Sequence, residues 1–155
     1  MASPSAPQPS VYDAVGGMTG LLALAHAWHE RCLADPLAAH PFSHGGHPAH
    51  LERLASYWGE ALGGPPTYTR AMGDESHARR LHAGNGDHPD LDARCVELFV
   101  EAVDEVTTDP RLRTTLVDYF AWANTEAMTA YPHSPDDVPD DLALPHWSWD
   151  GPVSP

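Results

Sequence analysis

Histidine is the residue of this sequence best placed to do chemistry: there are eleven, and His40, His44, His47 and His50 fall in one short run. Imidazole at that density points to metal or haem ligation, or to pH sensing, because its ordinary pKa lies near neutrality and its neutral ring is a ligand. The run's spacing of four, three and three suits ligands on a helix, and imidazole suits zinc or copper. Gly45-Gly46 and Pro48 interrupt it, however, and no carboxylate or cysteine stands at structural-zinc spacing. A haem-free zinc or copper site is therefore the minor reading, and His40, His44 and His47 read as solvated loop residues.

His50 differs from the other three. His47, His50, Leu51 and Leu54 are three or four apart and so share one side of a helix. A second imidazole, His29, follows Trp28 near the end of a helical stripe in which Leu22 and Ala25 already point inward. The third is His82, on a short helix that sets Ala78, Leu81 and His82 on an inward face with Arg79 and Arg80 beside them. A lone inward histidine is more often a hydrogen-bonded structural residue. Three imidazoles facing one apolar cavity from three helices are another matter. Haem needs an apolar slot, a neutral axial imidazole and a hydrogen-bond donor on the far side.

The elements that would position these residues are all helical. Tyr12 to Val15 form a turn ended by Gly16-Gly17. An apolar stripe through Met18, Leu21, Leu22, Ala25, Trp28 and Cys32 predicts a helix over 18–34, with Thr19 as a possible cap and Asp35-Pro36 as the stop. Residues 36–48 read as a loop with one turn of helix at 36–39. A second long helix spans 48–62 and is closed by Gly63-Gly64-Pro65-Pro66, after which a polar link leads to Asp74. Asp74 caps a helix over 75–83 with Gly84 as terminator. Two more helices start at Pro89, after Asp87 or His88, and at Pro110, after Asp109. No two-residue hairpin signal and no alternating run occurs, so the fold class is all-α.

Composition bounds the role. The formal net charge is -14, and all eight basic residues are arginine, a balance that repels phosphate backbones and anionic membranes. No apolar run approaches the roughly 20 residues that span a bilayer. Residues 1–10 read as a disordered Pro/Ser leader without signal-peptide character, which makes a cytoplasmic location the expectation. Residues 11–131 form one domain. Residues 132–155 form an extended tail expected to lie on that domain and bury Trp147 or Trp149. Asp136, Asp137, Asp140 and Asp141 read as solvated, since they lack a calcium ligand ladder. Cys32 and Cys95 read as free buried thiols, and Trp58, Trp122 and Phe99 as core.

The motifs Tyr12-Asp13-Ala14-Val15-Gly16-Gly17, Asp35-Pro36-Leu37, Phe42, Gly63-Gly64-Pro65 with Thr67-Tyr68, and Arg80-Leu81-His82-Ala83 occur in an order that resembles the truncated haemoglobins, most closely their second group. The resemblance runs from Tyr12 to about Val106 and is looser through the last helix. It implies a two-on-two helical sandwich with a much reduced proximal helix.

By the same resemblance, His82 is the proximal iron ligand, its other N–H held by a backbone carbonyl, and Phe42 packs on the porphyrin face. His50 takes the distal position, Leu54 lies one turn on, and His29 stands where the family usually has a tyrosine that touches bound ligand. Arg79 and Arg80 are placed to pair with haem propionates. Cys95, beside Arg94, stands where second-group members carry a tryptophan. The implied cofactor is haem b. The implied function is reversible binding or transport of dioxygen, or of another diatomic ligand, at a five-coordinate iron. Haem-dependent nitric oxide dioxygenation or peroxidase-like turnover, with an unidentified reductase, is the alternative. Neither nucleic acid nor membrane is an expected partner.

Overall fold

The computed structural model describes residues 8–42 and 48–154. Chain entry is a single helical turn, α1 (Val11–Ala14), capped by the Ser10 hydroxyl, which accepts from the Asp13 amide at 3.1 Å. Helix α2 (Gly17–Ala34) follows a glycine pair; its N-cap is Gly16, with no side-chain cap, so Thr19 lies inside the helix instead of capping it. The predicted stop at Asp35 holds. The Asp35 carboxylate accepts from the Leu37 and Ala38 amides, each at 3.0 Å, folding the chain into a turn that leads to a 3-10 segment over His40–Phe42.

Helix α3 (His50–Ala61) starts two residues later than the sequence predicts. The polar link after it contains a helix the sequence reading misses, α4 (Thr67–Ala71). The buried Glu60 carboxylate organises that segment by accepting from the Thr69 amide at 2.9 Å and from the Thr69 hydroxyl. Helix α5 (Glu75–His82) begins at the expected cap, where Asp74 accepts from the His77 amide at 2.7 Å. Helix α6 (Pro89–Val106) and helix α7 (Pro110–Trp122) both start on a proline. The end of the last predicted helix differs: over Ala123–Ala127 the coil widens to a π-turn.

Helix α2 packs on α3 and α6, and α6 packs on α7, which places two helices across two. Trp28, Trp58, Phe99 and Phe120 fill the space between them, with the Phe99 and Phe120 rings stacked at 3.9 Å between centroids. Trp122 is half-buried at the edge of the core, less enclosed than expected. Trp147 packs on Tyr119 and Trp122, and the Trp149 indole donates to Pro9 O at 2.8 Å, although both rings stay half-buried. The tail also pairs Trp147–Ser148 with Gly151–Pro152 in a small antiparallel ribbon, a hairpin the sequence reading does not anticipate. Among the described residues, no helix is long and apolar enough to cross a membrane.

Candidate functional site

The turn capped by Asp35 determines where Phe42 goes. Arg94, on α6, donates to the same carboxylate at 2.6 Å, so the loop leaving α2 is tied to α6. The Ala38 amide and the Arg94 guanidinium together hold the Asp35 carboxyl below its ordinary range. From that anchored loop the Phe42 ring meets His29 edge-on, with centroids 5.0 Å apart, and lies 5.8 Å from the His50 ring. His29 and His50 are 5.5 Å apart, centroid to centroid. Residues from α2, the 3-10 segment and α3 therefore converge as an aromatic trio. Leu54, one turn beyond His50 on α3, is half-buried against the core. Burial, reinforced by nearby His26 and opposed by Glu30, lowers the His29 pKa, which favours the neutral ring.

His82 stands apart from that trio, exposed at the C-terminal end of α5. Its Nδ1 lies 2.8 Å from Ala78 O, one turn back on its own helix. A carbonyl can only accept, so Nδ1 carries the proton, and in the neutral ring Nε2 presents the lone pair. Leu81, beside it, is 66 % exposed, so the predicted inward face of α5 is buried at Ala78 but open at Leu81 and His82. An apolar side chain next to an imidazole whose second nitrogen is already satisfied is a surface suited to a flat apolar ligand with a metal centre. The residues present fit a haem.

The two arginines are engaged elsewhere. Arg79 donates to Glu75 at 2.5 Å and to Ala127 O at 2.8 Å, and the Glu75 carboxylate, fully buried, also accepts from the Tyr57 hydroxyl at 2.6 Å. Arg80 donates to Val138 O at 3.1 Å and pairs with Asp140 at 2.5 Å. Arg79 thus serves a buried carboxylate one turn away, which demands a guanidinium more strongly than a solvated anion does, whereas Arg80 pairs with an exposed one. Asp140 is accordingly not a purely solvated tail residue, although it is exposed.

The remaining candidates fall as follows. Cys32 and Cys95 are free and buried, facing one another between α2 and α6; their mutual hydrogen bond and burial push the Cys32 thiol up. Cys95 O accepts from the Trp28 indole at 3.1 Å. His40 is exposed, whereas His44 and His47 lie outside the described residues. A cavity of about 610 Å³ lies between the tail and the body, but Glu60, Asp74 and Glu75 line it and none of the candidate residues does. Its lining is distinct from the residues singled out for haem.

This architecture, two helices crossed on two with a stunted helix bearing an imidazole, defines a globin of the two-on-two type. Residues 10–129 match the bacterial-like globin family, and the chain belongs to it. Solved structures agree on the fold. The haemoglobin of the thermophilic phototrophic bacterium Chloroflexus aurantiacus is 25 % identical, covering 78 % of this chain and 98 % of its own at a TM-score of 0.67. The group II 2-on-2 haemoglobin of the plant pathogen Agrobacterium tumefaciens is 24 % identical, with coverages of 79 % and 98 % and a TM-score of 0.63. A mutant of the group II truncated haemoglobin of Bacillus anthracis is 17 % identical, with coverages of 86 % and 100 % and a TM-score of 0.70. No curated protein matches the sequence. The cofactor of such a globin is haem iron.

Proposed function

We infer that the chain binds haem b through His82 Nε2 and offers a small diatomic ligand, dioxygen foremost, a pocket framed by His29, Phe42, His50 and Leu54. The observation that carries this reading is the 2.8 Å contact between His82 Nδ1 and Ala78 O. It fixes the ring on its own helix in the tautomer an iron ligand needs. When bound, haem supplies the iron that takes the diatomic ligand. The protein's own residues do the rest. Phe42 and Leu54 keep the pocket apolar, and the imidazoles of His29 and His50 can donate an N–H where the family usually presents a tyrosine hydroxyl. We assign Arg79 and Arg80 to holding α5 and not to the propionates.

A turnover role, nitric oxide dioxygenation or peroxidase-like chemistry with an external reductase, has one observation in its favour. His29 and His50 sit with their ring centroids 5.5 Å apart, and a distal imidazole is the acid–base group that O–O cleavage uses. Reversible binding remains the first reading. Absorption spectra of the ferric, ferrous and carbonyl forms, taken for the wild type and for His82→Ala and His50→Ala, test it. His82→Ala should lose most haem affinity, whereas His50→Ala should keep haem and release dioxygen about tenfold or more faster, as loss of one good hydrogen bond implies. An unchanged ferrous spectrum in His82→Ala would overturn the ligand assignment, and steady peroxide consumption by the wild type would favour turnover.

A further inference from the structure

We propose that residues 131–142 are a strap that sets the position of α5, and that Ser76 and Arg80 are positioning residues for His82; the link to His82 rests on the haem assignment above. Helix α5 is eight residues long, too short to hold a fixed position on intrinsic helix stability. Contacts from elsewhere must place it. The Asp74 cap and the Tyr57–Glu75–Arg79 network supply part of its hold. The tail contacts it from Ser76 to Arg80 and the chain just past its end.

Ser76, 1 % exposed, donates to Pro139 O at 2.8 Å and accepts from the Leu142 amide at 3.0 Å, so its buried hydroxyl is used in both directions by the tail. Arg80 reaches Val138 O at 3.1 Å and Asp140 at 2.5 Å. Just past the helix, the Gly84 amide donates to Tyr131 O at 3.1 Å and the Gly86 amide to Pro132 O at 2.8 Å. The strap has its own shape, a 3-10 turn over Pro135–Asp137 capped by the Ser134 hydroxyl, and it buries Val138. The family match stops at residue 129, so the strap residues lie beyond the residues it matches.

The orientation of His82 follows the helix because Nδ1 is tied to Ala78 O on that same helix. A displacement of α5 therefore moves the imidazole with it. The strap thus sets the direction from which His82 would hold the iron.

The test uses the full chain in wild-type form and as the Ser76→Ala/Asp140→Asn double variant, which leaves Arg80, the histidines and the apolar core residues unaltered. The first readout is amide hydrogen exchange of residues 75–84 in the haem-free protein. The proposal predicts exchange about tenfold or more faster in the variant, as expected when hydrogen bonds guarding a local opening are lost, with α2, α6 and α7 unaffected. The second is the iron–histidine stretching frequency of the ferrous haem-loaded protein, which should shift in the double variant and recover in Ser76→Thr/Asp140→Glu. Unchanged exchange in 75–84 would overturn the strap. Faster exchange with an unmoved iron–histidine mode would overturn its action on His82. If the mode survives in His82→Ala, the haem assignment has failed instead, and the exchange data still judge the strap. Should the double variant not fold, Ser76→Ala alone is read in the same way.

Discussion

A proton on His82 Nδ1, directed to Ala78 O at 2.8 Å, leaves the ring's other nitrogen for a ligand role. Across the proposed site, the half-buried ring of His29 bears on the pH dependence of folding. Its folded-state pKa is lowered by burial and by His26, so the unfolded chain takes up this proton more readily than the folded one. Stability from this group is therefore complete above the ordinary value of 6.5 and is lost as pH falls below it. The wild type should unfold at progressively lower temperature as acid is added through that window, and His29→Gln should show a flatter dependence. An identical pH profile in both proteins would contradict this role for His29. Part of this scale was legible in the sequence: helical spacing and the order of motifs singled out His29, His50 and Phe42, whose rings meet, whereas the inward face expected of α5 ends at Ala78 and leaves His82 exposed. The partners of Arg79 and Arg80 were not legible, because a guanidinium takes whichever acceptor the tertiary fold buries beside it, and spacing does not reveal that Glu75 is fully buried.

Helix α5 is the element on which the proposed site depends, and its hold can be tested at both ends. Tyr57→Phe removes one donor from the buried Glu75 carboxylate and should cost about 1–3 kcal/mol. Denaturant unfolding would read it, and a loss below about 0.5 kcal/mol would show the network to be dispensable. At the other end Gly84 has a φ of +81°, and a Cβ there would meet Pro135 at 3.1 Å. Gly84→Ala should therefore cost about 1–2 kcal/mol from backbone conformation alone. The Asp74 cap and the Gly84 terminator made this helix readable from sequence, as did the proline starts of α6 and α7. The small helix α4 was not readable, since it depends on Glu60 reaching the Thr69 amide from a different element. The π-turn at Ala123–Ala127 was hidden too, because the apolar spacing continues through it in helical register.

For the molecule as a whole, two motifs far apart in sequence form one joint. The Tyr12 amide donates to Leu62 O at 3.0 Å, and its ring lies against Gly64, where an added Cβ would come within 2.6 Å of the ring and 2.8 Å of Gly59 O. That contact explains why the glycine-rich ends of α1 and α3 occur together. Gly64→Ala should cost about 1–3 kcal/mol by overpacking and lower the melting temperature by several degrees; an unchanged melting temperature would mean the joint bears no load. The all-α class was readable from helical periodicity, and the two-on-two arrangement was what the family resemblance implied. The path of the tail was not, because extended polar chain carries no period and its contacts are mostly backbone carbonyls. The central claim is that His82 supplies the iron ligand, and chemical rescue tests it most directly. Haem-loaded ferrous His82→Gly is recorded with and without added imidazole. The account predicts loss of the wild-type spectrum in the variant and its return when imidazole takes the vacated place. A His82→Gly spectrum identical to the wild type without imidazole would contradict it.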